Sequence, residues 1–106
     1  MIDKLGNMMG MIKQIQQRIE DTQKQLQAEH IEVTSGETLR IIVTGHQTIE
    51  KIEINPAYLT PQSGPILQDL LVATINKGLM QAKTKYDEEM GKVATELNLP
   101  KIPGLF

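Results

Sequence analysis

The sequence predicts an α+β fold of order α-β-β-β-α, in which a three-stranded antiparallel sheet carries two long projecting helices. Three observations predict it. Apolar residues first recur at steps of three and four. They then alternate every second residue near position 30. They return to the helical period after Pro65. The 106 residues suit one domain: a helix about 3–28, a sheet about 30–55, a helix about 65–97 and a Pro/Gly tail 98–106.

The first helix rests on Leu5, Met8, Ile12, Ile15, Ile19, Thr22 and Leu26, a narrow seam spaced 3-4-3-4-3-4. Gln, Lys, Arg, Asp and Glu fill the remaining faces, while Gly6 and Gly10 weaken its start. At 1.5 Å per residue it is about 39 Å long.

The strands follow. Ile31 and Val33 alternate with Glu32 and Thr34. Leu39, Ile41 and Val43 share a face, as do Ile52 and Ile54 with Glu50. Ser35-Gly36 and Gly45-His46-Gln47 are short turns, so neighbouring strands run antiparallel. The apolar face calls for a covering helix. The other face carries Ile42 and Ile49, which asks for a second cover and marks them as candidate dimer contacts. Pro56 donates no backbone hydrogen bond and disfavours helix at Asn55, so the third strand ends there. Tyr58 and Leu59 are expected to pin the following segment to the core.

The second helix opens near Pro65, with Ser63 or Gly64 as cap, and carries Leu67, Leu71, Ile75, Leu79, Ala82, Tyr86, Met90, Val93 and Leu97 along one stripe. About 33 residues make it roughly 50 Å long. A compact domain of this size has a radius of gyration of about 13 Å. The helix must therefore project, and its seam needs the first helix or another chain.

Composition narrows function. There is no cysteine, so thiol chemistry and disulfides are excluded. No apolar run reaches the roughly 20 residues of a membrane span, and the N-terminal stretch lacks the basic leader and compact apolar region of a signal peptide. A cytoplasmic protein is expected. His30 opens the first strand and His46 sits in a turn, and neither has a partner at metal-ligand spacing. Asp87-Glu88-Glu89 lies among Lys85 and Lys92 as ordinary helix-surface pairs. No phosphate-binding glycine loop is present, and Ser35 and Ser63 have no positioned base. No enzyme, cofactor, metal or small-molecule substrate is expected.

Charge is divided by region. Lys4, Lys13, Arg18 and Lys24 outnumber Asp3, Glu20 and Asp21 on the first helix. In the sheet segment, Arg40 and Lys51 face Glu29, Glu32, Glu37, Glu50 and Glu53. The second helix sets Lys77, Lys83, Lys85 and Lys92 against five acids, and the whole chain carries −2. Any nucleic-acid contact is therefore expected on the helices. The candidates are Lys4, Lys13, Arg18 and Lys24 on the first and Lys83, Lys85 and Lys92 on the second. No aromatic residue is interleaved for base stacking. Four of the six methionines fall in the first eleven residues, either filling the seam or forming a soft contact surface.

The segments "LGNMMGMIKQIQQRIEDTQKQL", "IEVTSGETLRIIVTG", "EKIEINPAYL", "LQDLLVATINKGLMQAK" and "LPKIPGLF", in this order, resemble the YbaB/EbfC family of bacterial nucleoid-associated proteins. The most specific match is Ile52-Glu53-Ile54-Asn55-Pro56-Ala57-Tyr58-Leu59. Asn55 stands where the family usually has Asp. The resemblance implies a homodimeric tweezer, its sheets joined in a central body and its helical arms gripping duplex DNA, with a role in nucleoid organisation or gene expression. It brings no catalytic residues. Arms this close to neutral imply weak, salt-sensitive binding, or a DNA role through a partner. The competing expectation is a dimeric interaction module that grips a protein partner with Met8, Met9 and Met11.

Overall fold

The computed structural model describes residues 2–97, with side chains described from Leu5 onward. Helix α1 spans Ile2–Ala28, strands β1, β2 and β3 span His30–Ser35, Leu39–Thr44 and Ile49–Ile54, and helix α2 spans Gly64–Glu96. Two single 3-10 turns, Pro56–Tyr58 and Pro61–Ser63, link β3 to α2. The α+β order read from the change of period is the order observed.

The strands form one antiparallel sheet in the order β1-β2-β3. Gly36, at φ +52°, turns β1 into β2, and Thr38 N–H closes that turn on the Ser35 carbonyl at 3.1 Å. Between β2 and β3 the left-handed position falls on Gln47, φ 61°, a conformation in which a side chain other than glycine is disfavoured. Thr44 holds this loop: its N–H donates to the Thr48 carbonyl at 2.8 Å, and its hydroxyl accepts from the backbone of His46 and Thr48.

Helix α2 lies across β1 and β2, and the core collects there. Val33, Leu39, Ile41, Val43 and Ala82 are buried, with Ile31, Ile54, Leu70, Leu71, Ile75 and Leu79 packed around the centre. Gly78 sits at the crossing point. A Cβ there would stand 2.8 Å from Val43 Cγ2 and 3.4 Å from Val33 Cγ2, so the missing side chain sets the helix-to-sheet distance.

Past the sheet, α2 runs antiparallel to α1. Thr22 and Leu26 of α1 and Met90, Val93 and Ala94 of α2 are buried in this arm. The Thr22 hydroxyl donates to the Arg18 carbonyl at 2.8 Å, which is how a polar residue fits a seam position. The root of α1 rests on the β2–β3 turn. A Cβ on Gly45 would meet the Leu26 carbonyl oxygen at 2.7 Å, and Gly45 N–H donates to the Glu29 carbonyl at 3.1 Å. The result is elongated, 73 × 21 × 16 Å, with a radius of gyration of 19.9 Å.

Three expectations require correction. Ile52 is not core: it is 42% exposed. A helix about 10 Å wide spans two strands spaced about 4.8 Å apart, and the third is left bare. Ile49 does not share the open face with Ile42. The register shifts at Ile42/Val43, so Lys51 opposes Ile42 while Ile49 opposes Val43, and Glu50 is the inserted residue. Strict alternation, continued through a bulge, assigns the wrong face. Tyr58 and Leu59 do not pin the connection to the core; both are exposed. The backbone of that connection closes on itself instead. Asn55 Oδ1 accepts from Ala57 N–H at 3.0 Å, and Thr60 Oγ1 accepts from Ser63 N–H at 3.2 Å.

Candidate nucleic-acid interface

A protein holds duplex DNA chiefly by setting Lys and Arg against phosphates, so the free energy depends on which cations are exposed and unpaired. The sheet offers few. Arg40 lies on the open face between β1 and β3, with Nε 2.7 Å from Glu32 Oε1 and Nη1 3.0 Å from Glu53 Oε2. Those bonds raise its pKa above the ordinary arginine value, Glu32 contributing most. Lys51 Nζ sits 2.8 Å from Glu53, whose carboxyl is held below the usual range by Lys51 first and Arg40 second. His30 Nε2 lies 2.9 Å from Glu50 Oε2. Both sheet cations are thus occupied by carboxylates, and the segment stays acidic.

The arm differs. Lys13 and Lys24 are exposed and have no ion-pair partner within 4.0 Å among the described residues. Eleven residues, close to three turns, separate them, so they share one side of α1 about 16 Å apart. The remaining candidates are paired. Arg18 Nη2 lies 2.7 Å from Glu96 Oε2, which ties α1 to the end of α2. Lys83 meets Asp87 at 2.8 Å. Lys85 and Lys92 both reach Glu89, at 3.3 and 3.1 Å, and Lys85 also approaches Glu29 at 3.8 Å. The Glu89 carboxyl is lowered, by Lys92 before Lys85, and the Lys85 ammonium is raised, mainly by Glu89. Lys4 lies outside the residues with described side chains. Lys77, not singled out from sequence, is also exposed on α2 with no ion pair among the described residues. Its signal was the lack of an acid three or four positions away.

Exposed pairs of this kind contribute about 0–1 kcal/mol each, so a phosphate can displace the carboxylate, at a penalty unpaired lysines avoid. The seven candidates are therefore unequal. Lys13 and Lys24 meet phosphate at no such penalty, while Arg18, Lys83, Lys85 and Lys92 must first release an acid.

The two histidines serve the scaffold. His46 packs edge-on against Tyr86, ring centroids 6.0 Å apart, which fastens the β2–β3 turn to α2. Among the described residues no group of His, Asp and Glu is arranged to hold a metal ion, and no helix is long and apolar enough to cross a membrane. The Asn55 amide donates to the Glu37 carbonyl at 3.3 Å, a bond an aspartate in its place could not make.

Residues 1–97 match the YbaB/EbfC DNA-binding family. The chain is 34% identical over 103 residues to a nucleoid-associated protein of Syntrophobacter fumaroxidans, covering 94% of each chain. It is 36% identical over 105 residues to one of Pelotomaculum thermopropionicum, covering 95% of this chain and 97% of that one. Over 105 residues it is also 36% identical to one of Flavobacterium johnsoniae, covering 98% and 95%.

Proposed function

The chain belongs to the YbaB/EbfC DNA-binding family, and from that premise we propose that it is a homodimeric, cytoplasmic nucleoid protein whose helical arms bind duplex DNA and affect its organisation or expression. This is a family of DNA-binding proteins, not of enzymes. The observation that carries the arm assignment is the contrast in charge. Arg40 and Lys51 of the sheet are neutralised by Glu32 and Glu53, whereas Lys13 and Lys24 stand unpaired on one side of α1. Phosphate is repelled by the body and accepted by the arm.

A second copy joins along the sheet region. Support comes from β3, whose Ile49 and Ile52 its own helix leaves uncovered. A contact there buries both and brings Ile42, on the neighbouring strand, to its margin. Two arms then leave one body. Lys13 and Lys24 from each copy supply about four phosphate contacts, so log K should fall against log salt with a slope of about −3.6. Fluorescence anisotropy on a labelled duplex, titrated from about 50 mM salt upward, tests this. No duplex binding at the low-salt end would overturn the reading.

The second reading, arms that grip a protein partner, is favoured by one observation: Leu5, Met8, Met9, Met11 and Ile12 are all exposed on the outer part of α1. It would take precedence if the salt titration failed.

A further inference from the structure

The seam of α1 outlasts its partner. Helix α2 ends at Glu96 beside Arg18, 2.7 Å away, while α1 continues thirteen residues farther to Leu5. Over that last stretch, about 20 Å, the seam positions lose their cover: Leu5 is 64% exposed, Met8 58% and Ile12 47%. One turn inside the arm the same seam buries Thr22 and Leu26 completely or nearly so. The stripe therefore has the spacing of a packed surface without an element of α2 to pack on it.

We propose that residues 98–106 of the same chain cover this stripe, running outward along α1 from the end of α2 as an extended strap. Three facts select this occupant. The segment starts where α2 stops, at the inner edge of the bare stripe. Its prolines, Pro100 and Pro103, exclude continued helix and favour an extended path of about 3.1 Å per residue, so nine residues reach about 28 Å, enough for the 20 Å required. Its apolar residues Leu99, Ile102, Leu105 and Phe106 recur roughly every third position, the repeat of that extended path, so they fall on one side. Counted outward from Arg18, Leu99 comes level with Ile12, and Ile102 lies between Leu5 and Met8. The inference does not depend on DNA binding. If it holds, it removes the surface on which a protein-gripping arm would rely.

The chain contains no cysteine, so pairs of cysteines report proximity without background. The full-length double variant Met8→Cys/Ile102→Cys is oxidised with a mild disulfide reagent. The control is Gly10→Cys/Ile102→Cys, on the opposite side of α1, where a Cβ meets nothing within 4 Å. The expected result is an intramolecular disulfide that forms at least tenfold faster for Met8 than for Gly10 and at a rate independent of protein concentration. Equal rates for the two pairs would overturn the proposal. So would a disulfide formed on mixing chains that carry only Met8→Cys with chains that carry only Ile102→Cys, because the strap would then belong to a second copy. As a second measurement without cysteines, deletion of 98–106 should speed amide hydrogen exchange in residues 8–15 by at least tenfold while leaving 22–28 unchanged. Unchanged exchange in 8–15 would likewise refute it.

Discussion

Gly78→Ala isolates the contact that sets how close α2 lies to the sheet. Two effects compete. In a helix interior, alanine is favoured over glycine by about 0.5–1 kcal/mol. Against this, the new methyl would stand 2.8 Å from Val43 Cγ2, when carbon atoms rest at about 3.5–4.0 Å. Val43 and its neighbour Ile41 are fully buried, and a β-branched side chain has little rotamer freedom, so the helix must lift or the valine must leave its well. Overpacking of this kind costs about 1–3 kcal/mol. The steric effect wins, with a net loss centred near 1 kcal/mol, or about 0.5 M in urea midpoint at a slope of about 2 kcal/mol/M. Urea unfolding followed by far-UV circular dichroism, at one fixed chain concentration because association contributes to stability, measures it. The sharper test is a double-mutant cycle. In a Val43→Ala background the collision is gone, and Gly78→Ala should become stabilising by about 0.5–1 kcal/mol. If Gly78→Ala stabilised both backgrounds equally, the close approach would not exist and the account of the core would be wrong.

Other outcomes are equally specific. Charge reversal at Lys13 and Lys24 should flatten the salt slope and weaken binding to all duplex sequences alike, measured by anisotropy, whereas reversal at Lys83, already paired with Asp87, should change it less. Ile52→Asp should shift the chain toward monomer in sedimentation velocity at micromolar concentration, because the association we propose would bury an unpaired carboxylate. Asn55→Asp keeps the acceptor for Ala57 but loses the donor to Glu37, and should lower stability by about 0.5–1.5 kcal/mol in urea unfolding. Glu53 and Glu89 have lowered carboxyl pKa values in the folded chain, so the stability they contribute is present above the ordinary carboxylate pKa of 4.5 and is lost as pH falls through their folded values. Acid unfolding of Glu89→Gln should therefore be shallower over that range than that of the parent.

The elements were legible because their signals are local. A 3-4 seam, a two-residue alternation and the Asn55-Pro56 break each depend on neighbours in sequence, and each boundary fell within a few residues. What sequence could not supply were quantities set by fit across space. Nothing in residues 49–54 announces that Glu50 is inserted, so Ile49 was assigned to the wrong face. Ile52 has the pattern of a core residue and is bare because one helix is narrower than three strands. The cations were visible as a set, and their inequality was not. Glu96 lies seventy-eight residues from Arg18, and no spacing rule links them. Lys13 and Lys24 stand out only after the other pairs have been located.

The seat of α1 on the β2–β3 turn has a mechanical meaning. Gly45 lets the Leu26 carbonyl approach to a distance no side chain would permit, so the arm is mounted on bare backbone. Such a mount works as a stiff hinge at the foot of a lever about 39 Å long. A tilt of about 5° at the foot sweeps the free end through about 3 Å at that length, close to the reach of one hydrogen bond. The aperture between two such levers is thus geared to sub-ångström changes beside Gly45, far from whatever the tips enclose.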